Sequence, residues 1–373
     1  MANVSPELRA TGHRLCGEYL GGTWANISLD QFGIEVLRGG LSNHLFLCSL
    51  PDDAPSEDKE PRRVLLRIYG QILQENPETV LTDSLTFALL AEKKLGPQMY
   101  GAFTVGRLEE FVKGSRPLQT EELHDKYISQ ECARKMAHFH RLRMPTVKQP
   151  KWLSQTMTSY MEEIKDASFP EGTPKAAIFA RIMSHNLIEE FSWLLNLVTE
   201  TQSPIVFCHN DLQEGNVLIM PSPREEPKIM PIDFEYSSYN YRGFDIANHF
   251  CEWCYDYTTD SYPYFQARIE DYPTEAQQRR FFKAYLEAYT DIEDKELEEE
   301  KLLHEVAVHT LVSHFFWCLW SIVQATKSDI KFGYLEYAEE RLKAYIKQKQ
   351  YLVDKTGSDI AIFSGLEEVN GVK

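Results

Sequence analysis

Alternating apolar and polar residues predict β-strands in the first third of the chain. Gly33–Leu50 and Arg63–Tyr69 are strand-like, and the polar, proline-containing loop Pro51–Pro61 separates them. Val80–Leu95 has a helical period instead, and a Gly-Pro pair follows it. We therefore predict a β-rich region that contains one amphipathic helix. The apolar positions of this helix are Leu81, Leu85, Ala88 and Leu89.

The pattern becomes mainly helical beyond Gly114. One strand pair, Val217–Met220 and Lys228–Ile232, interrupts the helices. A β-rich part followed by a helical part predicts an α+β fold, and we divide it into residues 1–112 and 113–373. The predicted helices are one that follows Thr120 and runs to about Leu142, two at 152–166 and 174–200, and one over Glu300–Lys327.

The composition indicates a folded protein and argues against polyanionic partners. Of the 373 residues, 43% are hydrophobic and 12% are aromatic, which is enough to fill two cores. The formal net charge is −17, from 56 acidic and 39 basic residues. Because this charge repels nucleic acids and anionic membranes, we predict no nucleic-acid partner. An acidic protein tolerates a cationic substrate, although most acidic surfaces serve solubility.

We predict a cytoplasmic protein without stable membrane insertion. Seven cysteines, an odd number without framework spacing, indicate reduced thiols, and the first residues lack the features of a secretory signal. The most hydrophobic span, Val308–Ala325, contains two histidines and a glutamine. Its charge-free centre, Phe315–Val323, is about half as long as a membrane-spanning helix requires.

Two short motifs at the ends of the predicted strand pair carry the candidate chemistry. The first runs from His209 to Asn216 and has the H-x-D-x4-N spacing of the catalytic loop in protein kinases. The second, Ile232–Glu235, is similar to their D-F-G element, with glutamate in place of glycine. Either motif alone would fit polar residues that cap turns. Because one strand pair connects them, they favour a two-lobed, protein-kinase-like fold.

The spacing assigns different roles to the two aspartates of these motifs. ATP brings concentrated negative charge that Mg²⁺ neutralises, and Mg²⁺ prefers oxygen ligands. Asp233 and the amide oxygen of Asn216 are suitable ligands, and Gln213 is a candidate for positioning metal or nucleotide. We expect Asp211 to orient the attacking hydroxyl group and accept its proton.

The first third of the chain offers candidate phosphate contacts. The segment Arg38–His44 contains two glycines, which let backbone N–H groups approach phosphate, although a plain hairpin would look similar. Arg67 lies within an apolar strand, where a cation is costly unless it contacts an anion. We predict that Arg67 binds phosphate. The alternative is an arginine at a strand edge that reaches solvent.

The sequence resembles the choline/ethanolamine kinase family from roughly Leu15 to Lys349. The likeness is densest in FCHNDLQEGNVLI (Phe207–Ile219) and IDFEYSSYNYRGFDIANHFCEW (Ile232–Trp253). Aminoglycoside phosphotransferases share the H-x-D-x4-N and I-D patterns but not the tyrosine-rich extension. The resemblance implies Mg²⁺-dependent transfer of the ATP γ-phosphate to choline, which is the first step of phosphatidylcholine synthesis by the CDP-choline route.

The resemblance also implies roles for individual residues. Asp211 matches the catalytic base, while Asn216, Asp233 and Glu235 match magnesium ligands. The hinge of this chain is one residue longer than the family pattern. Asp83 stands where a glutamate generally pairs with the strand cation, so we hypothesise an Asp83–Arg67 ion pair. The implied nucleotide contacts are Arg38, Gly40, Ser42, Asn43, His44, Arg67, Glu110, Val112, Arg116 and Gln213.

An aromatic site is the third implication. A trimethylammonium group is recognised by π-faces and carboxylate fields rather than by hydrogen bonds. Trp317 and Trp320 lie one turn apart on a helix, where such a pair alone is more often core than binding site. The resemblance to the family instead favours a binding site at these two tryptophans. The implied substrate contacts are Tyr236, Tyr257, Trp317, Trp320, Phe332 and Tyr337.

Two further polar sets receive structural interpretations. Asp245 is predicted to hold the catalytic loop by hydrogen bonds, as the equivalent aspartate does in kinase-like folds. His249, Cys251 and Cys254 lack the further ligand pair that a structural zinc site requires, so we interpret them as core residues.

Two alternatives to choline phosphorylation remain open. The chain could phosphorylate ethanolamine, alone or together with choline, or it could be a non-catalytic kinase-like scaffold. The presence of both Asp211 and Asp233 argues against the scaffold. Members of the choline/ethanolamine kinase family are often dimers, so the resemblance also implies that this chain forms a homodimer.

Overall fold

The computed structural model describes residues 4–37, 43–55, 60–70, 77–221, 228–290 and 292–356. The chain forms two compact units. The first contains residues 1–116, 218–221 and 230–235, and the second contains the rest of the chain. The first unit therefore includes both a continuous amino-terminal part and two short returns from the predicted strand pair, one of which carries Asp233.

A five-stranded antiparallel sheet forms the centre of the first unit, with strand order β1-β2-β3-β5-β4. The strand predicted at Arg63–Tyr69 is β3 with the same bounds, and the predicted run Gly33–Leu50 forms two strands. Trp24, Phe32, Leu66 and Leu108 are among the residues that fill the core beneath the sheet. The other strands are β1 (Gly33–Leu37), β2 (Asn43–Ser49), β4 (Met99–Phe103) and β5 (Gly106–Glu110).

The first unit also has helices before the sheet, which the sequence pattern did not predict. They are α1 (Pro6–Leu20) and α2 (Gly22–Asn26). The hydroxyl group of Ser5 accepts a hydrogen bond from the Leu8 amide at 3.2 Å and caps α1, whose first residue is proline.

The helix predicted at Val80–Leu95 is present as α3 (Pro77–Glu92), but its buried face differs from the predicted one. Leu81 is 71% exposed and Leu85 is 41% exposed, so these two assignments were wrong. The buried face carries Asp83, Thr86, Phe87, Leu90 and Ala91. The face is rotated because Asp83, a polar residue, is buried against a partner described below.

The second unit is mainly helical, as predicted. Two predicted helices are each divided by a polar cap: Asp125 accepts hydrogen bonds from the amides of Tyr127 and Ile128, and Asn186 accepts one from Glu189. The helices are α4 (Lys126–His140), α5 (Lys151–Lys165), α6 (Pro174–Met183), α7 (Leu187–Thr201), α8 (Arg242–Glu252), α9 (Glu275–Tyr289), α10 (Lys295–Lys327) and α11 (Tyr334–Thr356).

Short strands connect these helices. The predicted strands are found as β8 (Val217–Met220) and β9 (Lys228–Pro231), whereas the antiparallel pair β7 (Ile205–Cys208) and β10 (Ser238–Tyr241) was missed. Further pieces are β6 (Arg116–Pro117), β11 (Tyr255–Asp256) and β12 (Gln266–Ala267), and 3₁₀-helices at Thr120–His124, Glu214–Asn216 and Ile269–Asp271.

Helix α10 lies at the centre of the second unit and packs against α8 and α11. Its length and composition would suffice for a membrane span, but 94% of its apolar window is buried inside the protein, as in a core helix. All seven cysteines are buried free thiols, in agreement with the prediction of reduced cysteines. Five of them, Cys132, Cys208, Cys251, Cys254 and Cys318, lie in the core of this unit.

Candidate active site

The catalytic loop leaves the end of β7 in the second unit. In the antiparallel pair, Cys208 lies opposite Ser238, so residues 209–211 leave β7 at the end where residues 236–237 enter β10. The kinase-like spacing is thus placed at the end of a short strand. This strand pair, which the sequence pattern missed, holds the first motif in position.

Asp245 of α8 fixes the backbone of this loop. Its two carboxylate oxygens accept hydrogen bonds from the backbone amides of His209 at 2.9 Å and Asn210 at 2.7 Å. The Nε2 atom of His140 lies 2.9 Å from the same carboxylate. Although burial acts to raise it, these hydrogen bonds hold the pKa of Asp245 below its ordinary value. The predicted supporting role of Asp245 is confirmed.

Asn210 adopts a left-handed backbone conformation, with φ of 67°. Asparagine tolerates this region better than most residues because its short polar side chain can bond locally. Here its Nδ2 donates to the Tyr236 carbonyl at 2.8 Å and to the Ser238 hydroxyl at 2.9 Å, and its Oδ1 accepts from Asn240 at 2.8 Å. The residue before Asp211 is therefore held on several sides.

Asp211 and Asn216 lie together, as their spacing predicted. The Nδ2 of Asn216 donates to the Asp211 carboxylate at 2.9 Å and to the Asp211 carbonyl at 2.8 Å. The amide oxygen of Asn216 is then the atom suited to a metal. Gln213 caps the adjoining 3₁₀-helix, since its Oε1 accepts from the Gly215 amide at 3.0 Å.

In the first unit, Arg67 of β3 binds two carboxylates. Its Nε lies 2.7 Å from Glu109 Oε1, and its Nη1 lies 3.0 and 3.1 Å from the two oxygens of Asp233. Arg67 is only 3% exposed, which excludes an arginine that reaches solvent. Although burial opposes it, the charges of Arg67 and Arg107 hold the pKa of Glu109 below its ordinary value. The predicted need for an anion at this strand position is confirmed.

The hypothesised Asp83–Arg67 ion pair is wrong. Asp83 instead pairs with Arg107 of β5, and the Arg107 guanidinium also lies 2.7 Å from Glu109 and 4.3 Å from the Phe87 ring centre. Arg107 was not among the predicted site residues. The result is a buried chain of alternating charges that runs from Asp83 through Arg107, Glu109 and Arg67 to Asp233.

Glu235 lies in the same unit as Asp233. Its Oε2 accepts a hydrogen bond from Asn43 Nδ2 at 2.6 Å. Burial and the nearby charge of Asp233 raise the pKa of Glu235 to about 7, against the effect of Arg67. Two crowded carboxylates with oxygen donors suit a divalent cation, which would relieve their repulsion. Asp233 has a left-handed φ of 63°.

The remaining predicted nucleotide residues are distributed over the first unit. Asn43 lies in β2, where its Oδ1 accepts from the Gly70 amide at 3.1 Å, and His44 beside it is exposed. The amide of Glu110 donates to the Gln98 carbonyl at 2.8 Å, and the Val112 carbonyl accepts from the Ser115 hydroxyl. Arg116 lies in the two-residue strand β6. The predictions at Arg38, Gly40 and Ser42 lie outside the described residues.

Three predicted substrate residues form an aromatic group in the second unit, which we call the tryptophan group: Tyr236, Trp317 and Trp320. The ring centres of Trp317 and Trp320 are 5.3 Å apart, and that of Tyr236 is 5.6 Å from Trp317. The Trp320 Nε1 donates to the Tyr236 hydroxyl at 3.2 Å. Trp152 packs against Tyr236 and was not predicted.

The other three predicted substrate residues form a second aromatic group, the tyrosine group: Tyr257, Phe332 and Tyr337. Their ring centres lie 5.6 to 6.4 Å apart, and the Tyr257 and Tyr337 hydroxyls are 2.8 Å apart. Tyr334 connects the two groups, since its ring centre is 5.0 Å from Phe332 and 5.9 Å from Trp320. The second unit thus brings all six predicted aromatic residues into one connected set.

A buried ion pair lies beside the tyrosine group and was also missed. Arg341 pairs with Glu252, and its guanidinium stacks 3.9 Å from the Tyr255 ring centre. Glu252 also accepts a hydrogen bond from the Tyr257 hydroxyl at 2.7 Å. Both helices carry other charged residues, so the sequence offered no signal that singled out Glu252 and Arg341.

His249 and Cys251, which were interpreted as core residues rather than zinc ligands, contact other groups. The Nδ1 of His249 lies 2.7 Å from the Leu212 carbonyl, and the Cys251 sulfur lies 3.7 Å from His314 Nε2. Burial lowers the pKa of His249 to about 4, so the ring is neutral at physiological pH. Its contact with Leu212 supports the residue after Asp211.

Comparisons with known proteins show the family of this chain. The profile of the choline/ethanolamine kinase family matches residues 34–346. A Homo sapiens protein named choline/ethanolamine kinase is 47% identical over 357 residues, covering 94% of this chain and 89% of its own length. Choline kinase alpha of Mus musculus is 47% identical, covering 93% of this chain and 82% of its own length.

The solved structures include a choline kinase from Cryptosporidium parvum. It aligns with a TM-score of 0.73 at 28% identity, and the alignment covers 93% of this chain and 96% of that one. This likeness confirms the predicted α+β, protein-kinase-like fold.

Proposed function

We propose that this chain, which belongs to the choline/ethanolamine kinase family, transfers the γ-phosphoryl group of ATP to the hydroxyl group of choline. The observation that carries the choice of acceptor is the connected aromatic set in the second unit, in which the ring planes of Trp317 and Trp320 meet at 79°. The products are phosphocholine and ADP.

Asp211 is the proposed general base. It lies in a loop held by Asp245, and Asn216 donates to its carboxylate, so its position does not depend on the substrate. A carboxylate in this position accepts the hydroxyl proton as the bond to phosphorus forms. Electrons of the choline oxygen form the new P–O bond, and the bond to the ADP leaving oxygen breaks.

Mg²⁺ is the proposed metal, with Asp233, Glu235 and the amide oxygen of Asn216 as its ligands. These residues offer the hard oxygen atoms that Mg²⁺ prefers. When bound, the ion neutralises charge on the phosphate oxygens. Arg67 holds the Asp233 carboxylate through Nη1, and Glu109 in turn orients the Arg67 guanidinium.

The aromatic set favours choline over ethanolamine. A primary ammonium has three N–H donors that need acceptors, whereas a trimethylammonium group needs only π-faces, each worth about 0.5–2 kcal/mol. The buried carboxylate beside the tyrosine group, Glu252, already accepts from Tyr257 and pairs with Arg341. Ethanolamine would therefore leave donors without partners, which is costly.

A coupled assay of ADP release tests the proposal. We expect kcat/KM to rise with each methyl group from ethanolamine to choline, by about 10-fold or more overall, and turnover to stop when EDTA removes the divalent ion. Equal rates with ethanolamine and choline would favour the dual-specificity alternative. ADP release that no amino alcohol stimulates would refute the kinase activity. The cytoplasmic location, the homodimer and the identity of the metal remain predictions.

A further inference from the structure

Asn248 of α8 connects the tryptophan group to the catalytic loop. Its side chain is fully buried. The Oδ1 atom accepts hydrogen bonds from Trp317 Nε1 at 2.6 Å and from the Ser313 hydroxyl at 2.8 Å, both on α10. The Nδ2 atom donates to the backbone carbonyl of Asn210 at 3.2 Å. One amide group therefore bonds both a substrate-binding tryptophan and the residue before Asp211.

Tyr236 provides a parallel connection. Its carbonyl accepts from the Asn210 side chain at 2.8 Å, and its hydroxyl accepts from Trp320 Nε1 at 3.2 Å. Each of the two tryptophans is thus connected to Asn210 through a single intermediate residue. Because Asn210 is bonded covalently to Asp211, both connections end at the proposed base.

These connections are rigid. Asn210 is held by Asp245 and Asn240 besides the two connecting residues, and Asn248 and the tryptophans lie on helices in the core of the unit. A network of satisfied, buried hydrogen bonds of this kind resists displacement, because breaking any member leaves a polar group unpaired. The separation between the tryptophan group and Asp211 is therefore fixed by the protein.

We propose that Asn248 is a positioning residue that fixes the distance between the bound quaternary ammonium and the base, so that the enzyme selects acceptors by the number of carbons between ammonium and hydroxyl. This inference rests on the proposed function. Choline has two carbons between these groups. A homologue with three carbons places its hydroxyl beyond the position that Asp211 can reach.

The chemistry of the side chain explains why asparagine suits this position. The Trp317 contact needs an acceptor and the Asn210 carbonyl needs a donor, and the carboxamide supplies both on a short side chain with few rotamers. Aspartate has the same shape but offers no donor, so it would place a carboxylate oxygen against the Asn210 carbonyl. Asn248→Asp therefore disrupts one contact with little change in volume.

The test compares choline with 3-hydroxypropyl-trimethylammonium. We expect Asn248→Asp to lower kcat/KM for choline by about 10-fold to 100-fold, in line with small misplacements of reacting groups. The preference for choline over the longer homologue should fall by about 5-fold or more. Displacement of the tryptophan group relative to Asp211 should slow the reaction of choline most, because choline has the matching length. KM for ATP should stay within about 2-fold of the original value, because Asn248 forms its hydrogen bonds with Asn210, Ser313 and Trp317 of the second unit.

Ser313→Ala is the matched control. It removes the other donor to the same Oδ1 atom but leaves the connection between Trp317 and Asn210 intact. It should lower the thermal midpoint while leaving the choline preference unchanged. An unchanged preference in Asn248→Asp, or an equal loss of preference in both variants, would overturn the inference.

A measurement on the original protein keeps the inference testable if Asn248→Asp fails to fold. Tetramethylammonium carries the cation without a hydroxyl group, and calorimetry reports its binding. With this ligand at ten times its Kd, hydrogen exchange of the amides at 209–212 should slow, by up to about 11-fold if the sites are fully coupled. Binding without slower exchange would overturn the inference. Absence of binding would contradict the proposed function, and the inference with it.

Discussion

Asp211 and Asp233 are chemically the same residue, yet their neighbours differ. Asp211 receives a hydrogen bond from the neutral amide of Asn216, whereas Asp233 faces the Arg67 guanidinium at 3.0 Å. A carboxylate next to a neutral donor can act on a proton, and one held by a cation in a crowded acidic site suits a metal. The two roles therefore follow from the surroundings of each residue.

Replacement of these two aspartates should separate their roles. Asp211→Asn should lower kcat by about 100-fold to 10,000-fold, because it removes the general base, with ATP affinity retained. Asp233→Asn should also weaken binding of the magnesium–ATP complex, since it removes a charged ligand. Stopped-assay kinetics and nucleotide titrations measure both effects. Near-normal turnover by Asp211→Asn would exclude Asp211 as the base.

The motif residues could be predicted from the sequence because their chemistry depends on local spacing. Asp211 and Asn216 are five positions apart, and the structure brings them into hydrogen-bonding contact. The pairs Asp83–Arg107 and Glu252–Arg341 were missed because their members lie 24 and 89 positions apart in the sequence. No periodic pattern encodes which buried acid meets which buried base.

At the scale of secondary-structure elements, the pair Asp83–Arg107 joins α3 to β5 in the first unit. Arg107 is fully buried, lies over the Phe87 ring and contacts Glu109. Removing one member of a buried ion pair leaves the others charged and unpaired, which costs more than the pair contributes. The attachment of α3 thus depends on a cation of β5, Arg107, which pairs with Asp83 in the buried face of α3.

Arg107→Met should therefore destabilise the protein by about 3–5 kcal/mol, since Asp83 loses its partner and Glu109 loses one of two. Urea unfolding followed by tryptophan fluorescence and by circular dichroism measures this free energy. Arg14→Met is the matched control: it removes the same charge from an exposed pair with Glu18 on α1 and should cost about 0.5 kcal/mol or less. Equal effects of the two substitutions would contradict the structural role of Arg107.

The positions of helices and strands could be predicted where the periodic pattern was long. They were predicted less well where a single polar residue determines where a helix begins or ends. The strand Arg63–Tyr69 was predicted with the observed bounds. The helix predicted at 174–200 is interrupted because Asn186 caps the second half. Strands β7 and β10 have four residues each, too short for a pattern to distinguish them from the flanking loops.

At the scale of the whole molecule, buried titratable groups act in opposite directions on stability. Burial lowers the pKa of His309 to about 4, so acidification charges this residue in the unfolded chain first and destabilises the fold. Burial and Asp233 raise the pKa of Glu235 to about 7. Acidification protonates this carboxylate and removes the unfavourable free energy of its buried charge, so it stabilises the fold. The contributions of His309 and Glu235 to the pH dependence of stability therefore partly cancel.

A variant isolates the histidine contribution. For a pKa of about 4 in the fold and 6.5 in the unfolded chain, stability is fully present above pH 6.5 and falls as the pH drops towards 4. Between pH 7.5 and 5.5 the loss is about 1.4 kcal/mol. His309→Gln should remove that part of the pH dependence in urea unfolding, whereas His185→Gln, at an exposed site, should leave it unchanged. An identical pH profile for His309→Gln and the original protein would contradict the assignment.

The burial of every cysteine has a consequence for the rate at which the thiols are chemically modified. Burial raises the pKa values of Cys132, Cys251 and Cys318 to about 12, so these sulfurs carry almost no thiolate under physiological conditions. Alkylating agents and peroxides attack thiolates that they can reach, and they reach these only in molecules that have opened. Oxidation and alkylation of these cysteines should therefore increase with the frequency at which the folded chain opens.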